Sequence, residues 1–226
     1  MSAVSAQPLA DESAAIRRAM VDSQLRTNDI NDPALVAAIA ATPREAHVPA
    51  SIKAAAYVDR ALPLGAGRAL NPTLTTARLV MEAGDVAGRS VLLIGAATGY
   101  AAAILSKLGA QVTAVEESPE LLAVARTVLA NDDHVTLVEA PLAQGATDRG
   151  PFDILLVDGA VEQLPAALLE QLADGAPIVT GVVDQGVTRL GRATHVAGTS
   201  SVHPLSFIDL ECVRLPGFAP PPRFTF

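Results

Sequence analysis

Tryptophan is absent from this 226-residue chain, and aromatic residues make up only 3% of it. A core must therefore be assembled from Ala, Val, Leu and Ile, in keeping with a hydrophobic fraction of 50%. Cysteine is almost absent too: Cys212 stands alone, which excludes an intrachain disulfide and fits a reducing, cytoplasmic setting. No apolar run reaches the roughly 20 residues needed to cross a bilayer, so no membrane partner is expected. The opening stretch MSAVSAQPLADESAA lacks a basic segment followed by an apolar one, so no secretory leader is expected. Basic residues are few: 16 Lys and Arg against 24 Asp and Glu give a net charge of −8, which argues against nucleic acid as a partner. The four histidines, His47, His134, His195 and His203, form no i, i+4 pair and have no second cysteine nearby. They read as surface or loop histidines, and no metal site is expected.

What is there has a clear rhythm in its second half. Residues 1–10 read as a flexible tail. From Asp11, Ile16, Met20, Val21 and Leu25 recur at helical spacing. DPALVAAIAAT follows as a second helix, with Asp32 as cap and Pro33 at the first helical position, where a missing N–H costs nothing. An irregular stretch rich in Pro and Gly leads to a third helix over PTLTTARLVMEAG. From Gly88 onward strands and helices alternate: SVLLIG, YAAAILSKLG, QVTAVE, SPELLAVARTVL, HVTLVEA, FDILLVDGA, LPAALLEQLADG and APIVTGVV. Such alternation builds a parallel sheet with helices on its faces. GVTRLGRATHVAG and SSVHPLSFIDLECVRL then follow without a helix between them, as strands paired antiparallel at the sheet edge. The fold class is α/β, a Rossmann-like sheet that is mostly parallel with C-terminal antiparallel strands and an N-terminal helical cap. Residues 11–87 form the helical and loop segment and residues 88–226 the sheet, as one integrated unit.

In open parallel sheets a ligand binds beyond the carboxyl ends of the strands, where strand order reverses. The turn GAATGY lies there, and an acid, Glu116, ends the next strand where such acids hold ribose hydroxyls. Three ligand classes compete. A P-loop needs Lys after its last glycine, and Gly99 is followed by Tyr100. A nicotinamide site wants G-x-G-x-x-G, but only Gly95 and Gly99 are present. An S-adenosylmethionine site tolerates a looser turn, and the closing antiparallel pair favours it. A tight turn into a helix also needs glycine when no ligand is bound.

Seven segments carry a more specific resemblance: MVDSQL, PREAHVP, AAYVDRALPLGAGRALNPTLTTARLVM, VLLIGAATGY, VTAVEESPEL, GPFDILLVDGAVEQLPAALLEQLADGAPIV and ECVRL. In this order and spacing they resemble the protein-L-isoaspartate O-methyltransferase family. The resemblance implies a methyltransferase sheet, S-adenosylmethionine as cofactor with S-adenosylhomocysteine as product, and isoaspartyl-containing peptides or proteins as partners. The implied activity is carboxyl methylation in protein repair. It assigns cofactor binding to Gly95, Ala96, Ala97, Gly99, Glu116, Glu117 and Ala140.

The chain departs from the family pattern in several places. Leu93 replaces the acid of E-I-G-x-G-x-G-Y, and Ala97 replaces its middle glycine. Ala140, Pro141 and Leu142 replace G-D-G, whose Asp contacts the adenine region. In the acceptor loop, where the family reads G-Q-T-I-S-Q-P, the Ser position falls on Asn71 in an ungapped alignment and on Leu70 if the prolines are matched. Asn can donate a hydrogen bond there and Leu cannot. Arg68 is a new cation in that loop, either holding a substrate carboxylate or simply solvated. Asp158 ends its strand where the family has Thr or Ala, facing the cleft. The candidate catalytic residues are thus Asn71 and Asp158. Two functions follow: a carboxyl O-methyltransferase of weakened activity, or a catalytically silent homologue that binds a ligand or partner.

Overall fold

A computed structural model describes residues 6–219. Its centre is a seven-stranded sheet in the order β5-β4-β3-β6-β7-β8-β9. Here β3 is Ser90–Ile94, β4 is Gln111–Glu116, β5 is Val135–Glu139, β6 is Ile154–Val161, β7 is Pro177–Asp184, β8 is Val187–Thr194 and β9 is Leu205–Asp209. The first five of these pair in parallel, whereas β8 and β9 add antiparallel, as the missing helix between them predicts. Strand order reverses between β3 and β6, so the crevice of this sheet opens at their carboxyl ends.

Each strand is apolar on both faces because each face is covered. Val91 and Leu93 of β3 point into one cluster, and Leu92 and Ile94 into another. The first cluster is roofed by α2 (Pro33–Ala40), α3 (Thr73–Glu82), α4 (Tyr100–Lys107) and α5 (Pro119–Val128). The second is roofed by the short α6 (Ala166–Leu169) and by Leu142, Leu215 and Phe218. With so few aromatics, small residues do the fitting: Ala101, Ala102 and Ala103 bring α4 close to the sheet. The two sequence-predicted caps form. Asp32 accepts from Leu35 N at 2.7 Å and Ser118 accepts from Leu121 N at 3.3 Å.

Four expectations need correction. Helix α1 spans Ala6–Met20, so the tail expected over 1–10 is helical from Ala6, while residues 1–5 lie outside the described residues. Ile16 on that helix is 45% exposed, whereas Met20, Val21 and Leu25 are buried as their spacing predicts. The helix expected over LPAALLEQLADG stops at Leu169, because Phe152 N donates to Gln171 O and Ala173 N donates to Phe152 O, drawing the chain back beside the sheet. Asp158 does not end its strand: β6 continues to Val161, because Ala160 N donates to Val213 O and Leu215 N donates to Ala160 O. Inside the irregular stretch, β1 (Leu62–Gly65) and β2 (Arg68–Leu70) make a hairpin that the sequence did not announce. Within the described residues no helix is long and apolar enough to cross a membrane.

The closeness of β6, β7 and the C-terminal segment depends on Gly181. A Cβ there would stand 2.7 Å from Cys212 Sγ and 2.9 Å from Ala160 Cα, and the latter is backbone that cannot yield cheaply. Gly181→Ala is therefore expected to destabilise the chain by about 1–3 kcal/mol through overpacking. Urea unfolding should show a lower midpoint with an unchanged slope; an unaltered midpoint would show that the contact relaxes freely.

Candidate active site

The crevice residues converge at the ends of β3, β4 and β6, and the glycine turn is the first of them. Gly95, Ala97 and Gly99 all take positive φ (81°, 48° and 87°), so the turn is left-handed at three of five positions. For Ala97 this is a costly conformation, about 1–2 kcal/mol above the right-handed one. It is held by a hydrogen bond: Ala97 N donates to Glu116 Oε2 at 2.8 Å. The acid at the end of β4 thus fixes the turn at the end of β3.

Glu116 is fully buried and its other oxygen is crowded. Oε1 accepts from Glu117 N at 3.0 Å and Ser118 N at 3.1 Å, and also takes the guanidinium of Arg68, with Nη1 at 2.5 Å. Charge-assisted bonds of this kind are roughly twice as strong as neutral ones. Arg68 is 5% exposed, so the solvated reading of it does not hold: its guanidinium rests on an internal carboxylate. Its Nε has no hydrogen-bond partner, so the pair is not fully satisfied. Glu116, the residue expected to hold a ligand, therefore has both of its oxygens engaged by the protein itself.

Asn71 and Asp158 are brought together as a pair. Asn71 Nδ2 donates to Asp158 Oδ1 at 2.9 Å and to its backbone oxygen at 3.0 Å. Thr76 Oγ1 also donates to Asp158 Oδ1, at 3.2 Å. Asn71 Oδ1 accepts from Val213 N at 2.7 Å. Both ends of the Asn71 amide are therefore used inside the protein, clamping β2 to β6 and to the C-terminal segment. Burial pushes the Asp158 carboxyl above its ordinary value, and the bonds from Asn71 and Thr76 draw it part of the way back. Ala96 is buried in the turn, and Glu117 is exposed beyond the crevice with only its backbone N–H engaged. Ala140 stays beside Glu116: its N–H donates to Glu116 O at 3.3 Å, and it lines a cavity of about 230 Å³ with Val138 and Gln144 to Arg149. Leu93, in place of the family's acid, is core.

A layer beneath the crevice escaped the sequence reading. Arg44 is fully buried, donates from Nε to Ala56 O at 2.8 Å and from Nη2 to Asn71 O at 2.5 Å, and lies 4.8 Å over the ring of Tyr100. His47 is fully buried, against the expectation of a surface or loop residue. Its Nδ1 lies 2.8 Å from Thr98 O, and Thr98 Oγ1 donates back to His47 O at 2.7 Å. A carbonyl only accepts, so Nδ1 carries the proton. His195 is buried as well, beside Ala173 O, whereas His134 and His203 are exposed as expected. The only sequence trace of the layer was the segment PREAHVP, whose Arg and His carry no sign of burial.

The chain matches the family model described as protein-L-isoaspartate(D-aspartate) O-methyltransferase over residues 16–209. It is 38% identical over 200 residues to a protein-L-isoaspartate O-methyltransferase of Roseiflexus castenholzii, covering 86% of this chain and 91% of that one. It is 37% identical over 168 residues to the protein of the same name from Koribacter versatilis, covering 74% and 76%. Two solved structures share the fold. One is a protein-L-isoaspartate O-methyltransferase, with a TM-score of 0.73 at 18% identity; the match covers 91% of this chain and 66% of that one. The other is a putative protein-L-isoaspartate O-methyltransferase from Plasmodium falciparum in complex with S-adenosyl-L-homocysteine, with a TM-score of 0.71 at 16% identity over 88% and 97%.

Burial lowers the His47 pKa from 6.5 to about 4, against the raising effect of the Thr98 carbonyl. A base whose folded pKa is depressed supports the fold above its unfolded pKa, and that support is lost as pH falls through the folded value. Stability is therefore expected to decline by roughly 3 kcal/mol from this residue as pH drops from 6.5 to 4. Urea titrations across that window should show His47→Gln with a shallower decline than the parent. Equal slopes would place the pH dependence on other groups.

Proposed function

This chain belongs to the protein-L-isoaspartate O-methyltransferase family, and from that premise we propose that it is an S-adenosylmethionine-dependent carboxyl methyltransferase acting on isoaspartyl residues of damaged proteins. The observation that carries the reading is the meeting of turn and acid. The family match, from residue 16 to residue 209, includes the turn after β3 and the acid that ends β4, and within it Ala97 N lies 2.8 Å from Glu116 Oε2. S-adenosylmethionine would supply the methyl group. A carboxylate acceptor is already charged at neutral pH, so what the protein must contribute is orientation and exclusion of water. The chain has a single cysteine, Cys212, which supports a reducing, cytoplasmic setting.

The residues that would hold the cofactor do not fit it in the conformation described. The Glu116 carboxylate is taken by Arg68 and three backbone N–H groups. The turn at Gly95 is covered by Leu215. Leu93 and Pro141 offer no polar group where the family places acids.

Transfer of labelled methyl from S-adenosylmethionine to an isoaspartyl peptide is expected, but at cofactor concentrations well below saturation it should be slower than by the Roseiflexus castenholzii relative. Each polar partner missing from a buried ligand costs about 1–3 kcal/mol, so the two missing at Leu93 and Pro141 predict a deficit of about thirtyfold or more. Incorporation no higher than with heat-inactivated protein would contradict the enzymatic reading.

A further inference from the structure

The space between Gly95, Glu116 and Gly159 is filled by two side chains, Arg68 and Leu215, which arrive from distant parts of the sequence. Arg68 begins β2, directly after a turn in which Gly65, Ala66 and Gly67 all have positive φ (91°, 51° and 70°). That turn projects the guanidinium inward onto Glu116, with Nη2 lying over Gly95. Leu215 comes from the segment after β9, and its placement is also fixed. Thr75 Oγ1 donates to Glu211 O at 2.6 Å, Val213 N donates to Asn71 Oδ1 at 2.7 Å, and Leu215 N donates to Ala160 O at 3.0 Å. These bonds set the Leu215 isobutyl group on the two glycines that flank the crevice. A Cβ at Gly95 would meet it at 2.9 Å, and a Cβ at Gly159 would meet all of its branch atoms. Glycine at both places makes room for this side chain of the protein.

We infer that Arg68 and Leu215 form an internal latch that occupies the S-adenosyl site and must be displaced before the cofactor enters. The inference rests on the proposed methyltransferase function. The latch is built to release. Leu215 is held by its backbone, so its side chain can turn away while the segment stays clipped to β6. Arg68 makes one ion pair from Nη1 and leaves Nε without a partner, and Glu116 keeps three N–H donors when the guanidinium leaves. When the competent state is a minor one, the apparent dissociation constant rises by the inverse of its population. Removing the plug removes that factor.

The test is calorimetric titration of S-adenosylhomocysteine into the full chain and into Leu215→Ala, Arg68→Gln and the double variant, with thermal unfolding of each protein without ligand. Leu215→Ala is expected to bind about tenfold tighter than the parent, as follows from an open state populated at about 10% or less. It is also expected to unfold at a lower temperature, so that affinity and stability move in opposite directions. Arg68→Gln should behave likewise; if it does not fold, Leu215→Ala alone decides. Equal or weaker binding by Leu215→Ala, with measurable binding by the parent, overturns the latch and leaves the methyltransferase reading standing. Absence of binding by every folded variant overturns both, and makes the filled crevice the core of a silent homologue.

Discussion

A carboxylate with no access to water needs either a cation or several donors, and Glu116 has both. Three backbone N–H groups and the Arg68 guanidinium surround it, so its charge is neutralised where β3 and β4 end. The turn depends on that carboxylate, because the left-handed Ala97 donates to it. The β1–β2 hairpin depends on it as well, because Arg68 is the point at which that hairpin enters the crevice. Breaking a buried pair by deleting one partner costs about 3–5 kcal/mol, chiefly because a charge is left unpaired. The three amides reduce that penalty for Glu116 and leave it capable of accepting from something other than Arg68.

Beneath this pair lies a second buried polar layer that ties the N-terminal segment to the sheet. Arg44 joins Ala56 O and Asn71 O, His47 and Thr98 exchange two hydrogen bonds, and Asn71 joins Asp158 to Val213. The segment before β3 is thereby fastened to the turn after it and to the C-terminal strap. A ligand in the crevice would touch elements from all three parts of the chain. The same arrangement explains how residues as distant as Arg68 and Leu215 come to share one small space.

The sheet was legible because its signals are local. Apolar strands between glycine and proline breaks, Asp32 and Ser118 ahead of their helices, and the missing helix after β7 each report on neighbours in sequence. The pairing of Asn71 with Asp158 was half legible: each was placed at the crevice, but not that the amide would be spent on the acid and on Val213. Arg44 and His47 were not legible, since their partners are the backbone carbonyls of Ala56, Asn71 and Thr98, and a carbonyl leaves no mark on the residue type. Arg68 was misread for a related reason. A lone cation in a glycine-rich loop looks solvated until its partner, 48 positions away, is placed beside it. Leu215 was legible only as the last residue of the family-like segment ECVRL; its place in the crevice was not, because only the two bare glycines opposite it give it that role.

The most direct measurement of the central claim is a pair of crystal structures of the full chain, one without ligand and one with S-adenosylhomocysteine. Without ligand, the Arg68 guanidinium is predicted to lie on the Glu116 carboxylate and Leu215 on Gly95 and Gly159. With ligand, both side chains are predicted to have left, with Glu116 accepting from the ribose hydroxyls and still from Ala97 N. Ligand seated in the crevice with the Arg68–Glu116 pair intact and Leu215 unmoved would contradict the account.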